Sequence, residues 1–361
     1  MNKNIVSLFS GCGGLDLGFH KAGFKTIWAN EYDKNITPTF KHNFPKIELD
    51  ERSISDIPVE DVPDCIGIIG GPPCQSWSAA GSHRGGDDSR GQLFIEDYIR
   101  IVKSKKPKFF LAENVPGIKY KRHDKSFKFI LESLRAIGYN ISFKVYNTYD
   151  FGVAQTRKRL IIIGYASGYD KFFKLPDNAY KGEKKNLEDV IKDLNGNAVA
   201  AKDKSKPNPD SIKLNHEYLD ILEEKNSFHY MSRNRVRGWN EPSFTIPATG
   251  RHVPQHPQAP KMEKVYEKNG DRRINVMEFK QGKKNKDLYR RLTVRECARI
   301  QGFKDNYEFL YNNVDHGYKM IGNAVPVEFA AVIARQVKKD MSRLDNSEVS
   351  FENAGKVIEL S

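Results

Sequence analysis

The sequence has little that would place it in or across a membrane. Its 361 residues contain no uninterrupted apolar run near the roughly 18 residues that a membrane helix needs. The first apolar run reaches Gly11, Gly13 and Gly14 before the core of a signal peptide could form. These absences predict a cytoplasmic protein without a membrane partner.

Cysteine is also scarce. The four cysteines, Cys12, Cys65, Cys74 and Cys297, lie far apart and form no Cys-x-x-Cys pair. A zinc site or a disulfide framework normally shows clustered or regular spacing. We therefore expect reduced thiols, as in a cytoplasm, and no metal site.

Acidic residues are outnumbered by basic residues, 46 to 59, which gives a formal net charge of +13. Residues 230–300 hold 17 Lys and Arg but only 7 Asp and Glu, so this segment carries an excess of ten positive charges. The surplus indicates a polyanionic partner. Composition alone does not separate a nucleic-acid-binding protein from a basic enzyme, so the position of the charge is the more informative observation.

Residues 4–165 alternate short apolar runs with amphipathic helical patterns, and the strands are too apolar to have one face in water. This alternation predicts a Rossmann-like α/β domain with a mostly parallel sheet that is covered on both faces. After Tyr165 the periodicity weakens among Asn- and Pro-rich connections. We expect a first domain of residues 1–168 completed by 317–341, a smaller irregular domain of 169–316, and a polar tail of 342–361 with little to pack against.

A glycine-rich turn separates the first predicted strand from the first helix, in SLFSGCGGLDLGF at residues 7–19. Such a turn brings backbone N–H groups to a ligand, and Glu31, twenty residues beyond Gly11, is placed to hold the hydroxyls of a ribose. Asp16 stands where a pyrophosphate-binding loop has its third glycine, which disfavours NAD and FAD. S-adenosylmethionine has a ribose and no phosphate, so it suits this loop. A tight turn without a ligand is the alternative.

Cys74 follows a buried strand and two prolines in CIGIIGGPPCQSWS, residues 65–78. Pro72 and Pro73 stiffen the loop, so the thiol should be displayed at the carboxyl edge of the sheet, where ligands of α/β domains bind. Nearby positive charge would make this thiol a nucleophile. A small buried hydrophobe is the alternative, and it is the interpretation that we prefer for the other three cysteines.

Glu113 ends the apolar strand KFFLAENV, residues 108–115, at the same predicted edge of the sheet. A carboxyl group at an apolar strand end can have a raised pKa and can give or share a proton. Taken alone, Glu113 could equally cap a helix or belong to an ion pair.

Six segments in order, FSGCGG, GGPPCQSWS, AENV, QTRKRL, RRLTVRECARIQGF and GNAVPV, resemble the DNA cytosine-5 methyltransferases. The resemblance extends to about residue 341. It implies a DNA (cytosine-5-)-methyltransferase that flips a cytosine out of the duplex and uses S-adenosyl-L-methionine. Cys74 would attack C6 of the ring, and Glu113 would hold its N3 and amino edge. Arg157 and Arg159, two apart and so on one face of a strand, would position the cytosine and its phosphate. An exposed basic strand edge is the alternative for this pair.

The resemblance also implies a set of cofactor-site and DNA-contacting residues. The cofactor site would be lined by Phe9, Gly11, Gly13, Leu15, Glu31, Tyr32, Ile54, Pro73, Leu93, Asn323 and Val325. In the loop after Cys74, the DNA contacts would be Gln75, Ser78 and Arg90. Ser53 departs from the family, which usually has an acidic residue there to bind the adenine amine. A backbone group or Asp56 would have to replace it.

Residues 230–260 are similar to the recognition region of the HaeIII-type methyltransferases, which modify GGCC. Arg233, Arg235 and Arg237 alternate, so a strand would project all three to one side. Arg235 and Arg251 would match the guanine-reading positions, since an arginine fork binds O6 and N7 of guanine in the major groove. Phosphate contact, which positions a duplex without reading it, is the alternative for these arginines.

The resemblance implies a monomeric bacterial modification enzyme for double-stranded DNA. It would be paired in function with a restriction endonuclease but not bound to it in a stable complex. One alternative is methylation of RNA cytosine, since tRNA-directed relatives share the catalytic motifs, and another is a DNA-binding regulator with an inactive methyltransferase fold. The long basic segment favours duplex DNA, and the intact Cys74, Glu113 and Arg157 argue against a regulator. A nicotinamide-dependent oxidoreductase is opposed by Asp16.

Overall fold

The computed structural model describes residues 2–73, 93–176, 179–201, 215–218, 233–269, 272–278, 288–344, 351 and 354–360. The chain divides into two compact units. The first unit comprises Met1–Phe151, Lys158–Gly182 and Val325–Ser361, and the second unit comprises Gly152–Arg157 and Glu183–Ala324. Each unit is therefore discontinuous in sequence.

The described strands are short and are numbered in chain order. They are β1 (Asn4–Leu8), β2 (Lys25–Asn30), β3 (Glu48–Asp50), β4 (Gly67–Gly70), β5 (Phe109–Asn114), β6 (Tyr139–Asn147), β7 (Lys158–Ala166), β8 (Val199–Ala200), β9 (Glu217–Tyr218), β10 (Glu263–Asn269), β11 (Arg272–Glu278) and β12 (Val357–Glu359). The helices are α1 (Gly14–Ala22), α2 (Thr37–Asn43), α3 (Ile99–Lys105), α4 (Asp124–Ala136), α5 (Leu187–Ile191), α6 (Val294–Ile300), α7 (Val314–Asn323) and α8 (Val327–Leu344). A π-helical turn, Leu93–Tyr98, directly precedes α3.

The first unit is built on one eight-stranded sheet with the order β12-β6-β7-β5-β4-β1-β2-β3. Only β7 runs antiparallel to its neighbours, β5 and β6, and every other pairing is parallel. Every residue of the central strands β4 and β5 is buried, as expected for strands that are covered on both faces. The prediction of a Rossmann-like α/β fold with a mostly parallel sheet is confirmed.

The carboxyl ends of β1, β4 and β5 lie at the same edge of the sheet because these three strands are parallel neighbours. The glycine turn follows β1, the loop of residues 71–73 follows β4, and Glu113 is the next-to-last residue of β5. The sheet therefore brings three of the predicted functional segments to one edge.

Helices α1 and α8 pack closely within the first unit. A Cβ atom built on Gly18 would lie 2.3 Å from the Cβ of Ala330 and 2.7 Å from the backbone nitrogen of Ala331. The absence of a side chain at Gly18 is what allows this close approach. The contact joins the helix after the glycine turn to the last long helix of the chain.

The end of the chain differs from the expectation that it has little to pack against. Residues 357–359 form β12, which adds a parallel strand beside β6, and the ring of Phe351 packs against the ring of Tyr139 at 5.4 Å. The sequence pattern is weak here because the strand has only three residues. Its pairing comes from the free backbone edge of β6, which the amino acids of the tail do not reveal.

The second unit is less regular, as its weak periodicity predicts. It contains α5, α6 and α7, a β8–β9 pair and an antiparallel β10–β11 ribbon. Helix α6 begins with a capping box in which Thr293 accepts a hydrogen bond from the backbone of Glu296 and the Glu296 carboxylate accepts one from the backbone of Thr293. Among the described residues, no helix of either unit is long and apolar enough to cross a membrane.

Candidate active site

The glycine turn leaves the backbone open to a ligand. Phe9, Gly11 and Gly13 have positive φ angles of 53°, 56° and 75°, and the backbone N–H of Gly13 donates to the carbonyl of Ser10 at 2.9 Å. A Cβ atom built on Gly11 would have no other atom within 4 Å. The turn therefore presents unobstructed space above Gly11, next to the start of α1.

Glu31 is fixed beside this turn by the backbone. Its Oε2 accepts a hydrogen bond from the N–H of Gly11 at 3.0 Å, and its Oε1 accepts one from the N–H of Asp33 at 2.9 Å. Tyr32, the next residue, has 60% of its surface exposed. The structure thus places the predicted ribose-binding carboxylate in contact with the glycine turn.

Three of the other predicted cofactor residues meet at one apolar cluster of the first unit. Ile54 is buried in this cluster, and the half-buried side chains of Phe9 and Leu93 pack against it. Leu15 is buried in α1, and Pro73 follows β4. Val325 also belongs to the first unit, whereas Asn323 belongs to the second.

The position where the family has an acidic residue lies next to an ion-paired arginine. Arg52 binds the carboxylates of Asp50 and Asp61, at 2.6 and 2.7 Å. Ser53 follows it and directly precedes a single 3-10 turn, in which Asp56 is exposed. The turn keeps Ile54 buried, and Asp56 stays a candidate for the replacement.

Glu113 is held by an ion pair at the carboxyl edge of the sheet. Its Oε1 lies 2.8 Å from the Nε of Arg159, and both side chains are almost buried. A Cβ atom built on Gly71 would lie 3.3 Å from the Oε2 of Glu113, and the side-chain amide of Asn114 donates to the carbonyl of Pro72 at 3.3 Å. The end of β5 therefore lies against the loop that leads into Cys74.

Four predicted site residues lie outside the described part of the chain. These are the predicted nucleophile and three predicted DNA contacts: Cys74, Gln75, Ser78 and Arg90. The other three cysteines are described and none of them forms a disulfide, with Cys12 and Cys297 buried and Cys65 half-buried. Burial raises the pKa of each of these three thiols, that of Cys65 to about 12. Cys12 and Cys297 are buried as we expected of small hydrophobes, whereas Cys65 is only partly so. Among the described residues, no three His, Cys, Asp or Glu side chains cluster as a metal site would require.

Arg157 differs from Arg159 in its environment. It precedes the first residue of β7 and is 1% exposed. Its guanidinium donates to the backbone carbonyls of Ile246, Gly322 and Ala324, at 3.1, 2.7 and 3.2 Å. Within the second unit, Arg157 thus connects residues 322–324 to Ile246. Because it lies outside β7, Arg157 does not share a strand face with Arg159.

The alternating arginines of the basic segment do not lie on a strand. Among residues 233–237, only Val236 forms a β-bridge, with Gln255. The expectation that a strand projects the three arginine side chains to one side is therefore wrong. Arg235 is buried and donates to the carbonyl of His252 at 3.2 Å. Arg237 binds Glu241 at 3.0 Å and stacks on the ring of Phe244.

Arg233 and Arg251 are exposed, and the turn that displays Arg251 is held on several sides. This turn is the 3-10 segment Gly250–His252. Asp315 accepts a hydrogen bond from the N–H of Gly250 at 2.8 Å, and the buried Arg291 donates to the carbonyl of Arg251 at 3.3 Å. The sequence does not reveal these roles of Asp315 and Arg291. Both side chains bind backbone groups, and every residue has such groups, so no residue pattern identifies the partner.

Positive charge accumulates around His252. Burial lowers the pKa of this histidine, and the charges of Arg235, Arg251, Arg233 and Arg291 lower it further. Four guanidinium groups therefore act on one imidazole at the surface of the second unit. Such a concentration of positive charge suits an anionic partner.

The described residues of the first unit form an α/β domain that has an open glycine turn and an ion-paired carboxylate at one edge of its sheet. The chain matches the model of the C-5 cytosine-specific DNA methylase family over residues 3–339. It belongs to this family and is a DNA (cytosine-5-)-methyltransferase.

Relatives of similar length support the assignment, and solved structures of lower identity share the fold. The chain is 52% identical to Type II methyltransferase M.NgoPII of Neisseria gonorrhoeae, over 94% of this chain and 96% of the relative. It is 49% identical to Type II methyltransferase M.FnuDI of Fusobacterium nucleatum, over 94% and 95%. Among solved structures, a DNA modification methyltransferase from an E. coli prophage has a TM-score of 0.69 at 23% identity, over 94% of this chain and 99% of that chain. The S. pombe Dnmt2 methyltransferase has a TM-score of 0.61 at 18% identity, over 95% and 99%.

Proposed function

We propose that the chain transfers a methyl group from S-adenosyl-L-methionine to C5 of a cytosine flipped out of duplex DNA, within the site GGCC. The observation that carries the proposal is the Glu113 carboxylate, which is paired with Arg159 and lies beside the loop that leads to Cys74. A base inside the duplex is out of reach of such a group, so the base must leave the stack. The similarity to Type II methyltransferases supports a role as the modification enzyme of a restriction-modification system. In that role it acts as a cytoplasmic monomer without a stable complex with the endonuclease.

The residues of the glycine turn fit the cofactor. The space above Gly11 is open, and the Glu31 carboxylate is oriented by the N–H groups of Gly11 and Asp33. Glu31 would hold the ribose hydroxyls, and the apolar side chains of Phe9 and Leu93 would lie along the adenosine. When bound, the cofactor supplies an electrophilic methyl group.

Covalent catalysis divides the reaction into steps that this chain's residues can assist. The Cys74 thiolate forms a bond to C6, and the displaced electron pair moves through the ring to N3, which takes up a proton from solvent. The Glu113 carboxylate accepts a hydrogen bond from this N3–H and so stabilises the protonated ring. The ring is now an enamine, so C5 is nucleophilic and accepts the methyl group. The C5 proton then passes to a base, its bonding electrons form the C5–C6 double bond as the C6–S bond breaks and the thiolate leaves, and N3 loses its proton to solvent. Arg159 keeps the Glu113 carboxyl group in place throughout.

The second unit recognises the DNA in this proposal. Arg251 and Arg233 are exposed, and the positive charge around His252 favours the phosphate backbone. Arg251 stands on a turn whose backbone is held by Asp315 and Arg291, so its exposed side chain would bind a guanine edge from a fixed position of the backbone. Arg235 supports that turn from the interior.

The proposal is tested with labelled S-adenosylmethionine and three substrates: a GGCC duplex, a scrambled duplex and RNA. We expect label in the GGCC duplex only. Equal label in the two duplexes would refute the assigned site, and label confined to RNA would refute the substrate class. Cys74→Ser is expected to abolish transfer while it leaves duplex binding intact, and substantial methylation by this variant would refute the role of Cys74.

A further inference from the structure

The segment that follows β3 lies beside the carboxylate of the glycine turn. The backbone N–H of Glu31 donates to the carbonyl of Asp50 at 3.2 Å. The side-chain amide of Asn30 donates to the carbonyls of Asp50 and Arg52, at 3.0 and 2.9 Å. Because β2 and β3 are parallel neighbours, their carboxyl ends share one edge of the sheet. A nucleoside whose ribose is held by Glu31 can therefore place its base at the end of β3.

Arg100, on α3, binds the backbone of the turn at the end of this segment. The turn is the single 3-10 turn Ile54–Asp56. One terminal nitrogen of the Arg100 guanidinium donates to the carbonyl of Ile57 at 3.0 Å, and the other donates to the carbonyl of Ile54 at 2.9 Å. A guanidinium is a rigid, planar group, so it fixes two acceptors relative to each other. Arg100 therefore holds the turn at both of its ends.

Asp97 connects Arg100 to the middle of the same turn. Asp97 is buried and lies in the π-helical turn Leu93–Tyr98. Its Oδ2 accepts a hydrogen bond from the hydroxyl of Ser55 at 2.7 Å, and its Oδ1 accepts one from Arg100 at 3.2 Å. We call these three side chains, Arg100, Asp97 and Ser55, the turn clamp. The clamp joins the 3-10 turn to the π-helical turn.

The turn clamp joins two walls of the proposed cofactor site. Ile54 lies on the 3-10 turn and Leu93 on the π-helical turn, and both belong to one apolar cluster of the first unit. Ser53, directly before the 3-10 turn, has no carboxylate for the amino group of adenine. A backbone group or Asp56 would have to meet that amino group instead, and both are placed by the turn. The position of the turn therefore decides how the base is recognised.

We propose that the turn clamp makes the cofactor site selective for adenine, by holding residues 54–57 in one position beside the base. The inference rests on the proposed cofactor, S-adenosyl-L-methionine. Arg100, Asp97 and Ser55 are positioning residues, which act through the backbone of the turn and not through contact with the cofactor. Hypoxanthine has a carbonyl group and an N–H where adenine has an amino group and an unprotonated nitrogen. A turn held in one position distinguishes these two bases, whereas a loose turn adjusts to either.

The test measures the dissociation constants of S-adenosylhomocysteine and S-inosylhomocysteine by calorimetry, with the full chain and with Arg100→Met. Methionine keeps an unbranched apolar side chain and removes the hydrogen-bond donors. A hydrogen bond to a base edge contributes about a factor of ten in affinity. We expect the unaltered protein to prefer the adenine compound by at least that factor, and Arg100→Met to lose the preference because it binds the adenine compound more weakly. Equal weakening of both compounds, or no preference in the unaltered protein, would overturn the inference.

Lys103→Met is the matched control, because it introduces the same side chain at an exposed position of α3. It is expected to leave the preference unchanged, and a loss as large as that of Arg100→Met would show that the clamp is not the cause. Arg100→Lys keeps the positive charge but not the planar fork. We expect it to retain only part of the preference, and full retention would refute the role of the geometry.

Ser55→Ala keeps the inference testable even if Arg100→Met does not fold, because it removes only the hydrogen bond to Asp97. It should reduce the preference in part, and an unchanged preference would overturn the role of the clamp. In methylation assays, the clamp variants should raise the KM for S-adenosylmethionine and leave kcat and the KM for DNA unchanged. A lower kcat at saturating cofactor would contradict a role confined to binding. If the unaltered protein binds neither compound, the proposed cofactor itself is wrong, whereas a preference that the clamp variants leave unchanged contradicts only this inference.

Discussion

Acidification should destabilise the second unit through His256. Its imidazole ring is fully buried, with the edge of Trp239 packed against it at 5.2 Å. Its Nδ1 accepts the backbone N–H of Gln258 at 3.3 Å, and its Nε2 lies 3.4 Å from the Oε1 of Glu296. Burial lowers the pKa of His256 to about 4, although the Glu296 carboxylate opposes the shift. The neutral ring is therefore the form that the fold accommodates.

The direction of the effect follows from the lowered pKa. Between pH 6.5, the ordinary histidine value, and pH 4 the unfolded chain binds more protons at this position than the folded chain. Stability from the neutral ring is complete above pH 6.5 and is lost as the pH falls. At about 1.36 kcal/mol for each pKa unit, the loss is about 2 kcal/mol at pH 5 and about 3 kcal/mol below pH 4.

The assay is urea unfolding at pH 7.5 and pH 5.0 for the unaltered protein and for His256→Gln, which does not titrate. Asp16 acts in the opposite direction, since burial raises its pKa to about 6, which favours the folded state below that pH. The informative quantity is therefore the difference between the two proteins, in which the contribution of Asp16 cancels. We expect His256→Gln to lose about 2 kcal/mol less on acidification. An equal loss in both proteins would refute the reasoning.

Two further predictions concern the DNA contact and the helix packing. Arg251→Ala should weaken binding to a GGCC duplex by about 1–3 kcal/mol and affect a scrambled duplex less, as measured in a salt series. Arg237→Ala is its control, because that side chain is engaged by Glu241, and equal losses on both duplexes would show that Arg251 contacts phosphate. Gly18→Ala should cost about 1–3 kcal/mol in thermal unfolding, because its Cβ has no room beside α8. Lys21→Ala, on the exposed side of α1, should change stability by less than about 1 kcal/mol, and an equally small effect of Gly18→Ala would contradict the close packing.

The first unit was predictable because its strands and turns are marked by local residue patterns, and its predicted functional residues lie at the ends of strands. Apolar runs mark β4 and β5, and Gly11 and Gly13 mark the turn after β1. Parallel neighbours share an edge, so the meeting of Glu113 with the loop after β4 follows from the strand pattern alone. The partner of Glu113 was not predicted, since the sequence left an ion pair open without naming the cation. The Arg159 ion pair depends on the antiparallel position of β7 beside β5, which a residue pattern does not reveal.

The second unit was less predictable because side chains donate hydrogen bonds to several of its backbone carbonyls. In irregular segments, backbone carbonyl groups are not paired by the hydrogen bonds of a helix or a sheet. When such carbonyls are buried, they need other hydrogen-bond donors. Arg157 supplies hydrogen bonds to three of them, and Arg295 donates to the carbonyls of Lys304 and Tyr307. A sequence pattern shows an arginine but not the carbonyl that it binds, so a buried structural arginine and a DNA-reading one look alike.

The charge excess of residues 230–300 must be interpreted in the light of these contacts. Several of its arginines are engaged within the second unit, by carboxylates or by backbone carbonyls: Arg235, Arg237, Arg290, Arg291, Arg295 and Arg299. A guanidinium that is held in this way still contributes its field, as the lowered pKa of His252 shows, but it has fewer donors left for a base edge. The net charge therefore indicates the class of partner, whereas we propose that the described arginines that stay exposed contact the bases. Among the described arginines of this segment, Arg251 is exposed on a turn whose backbone is held by Asp315 and Arg291.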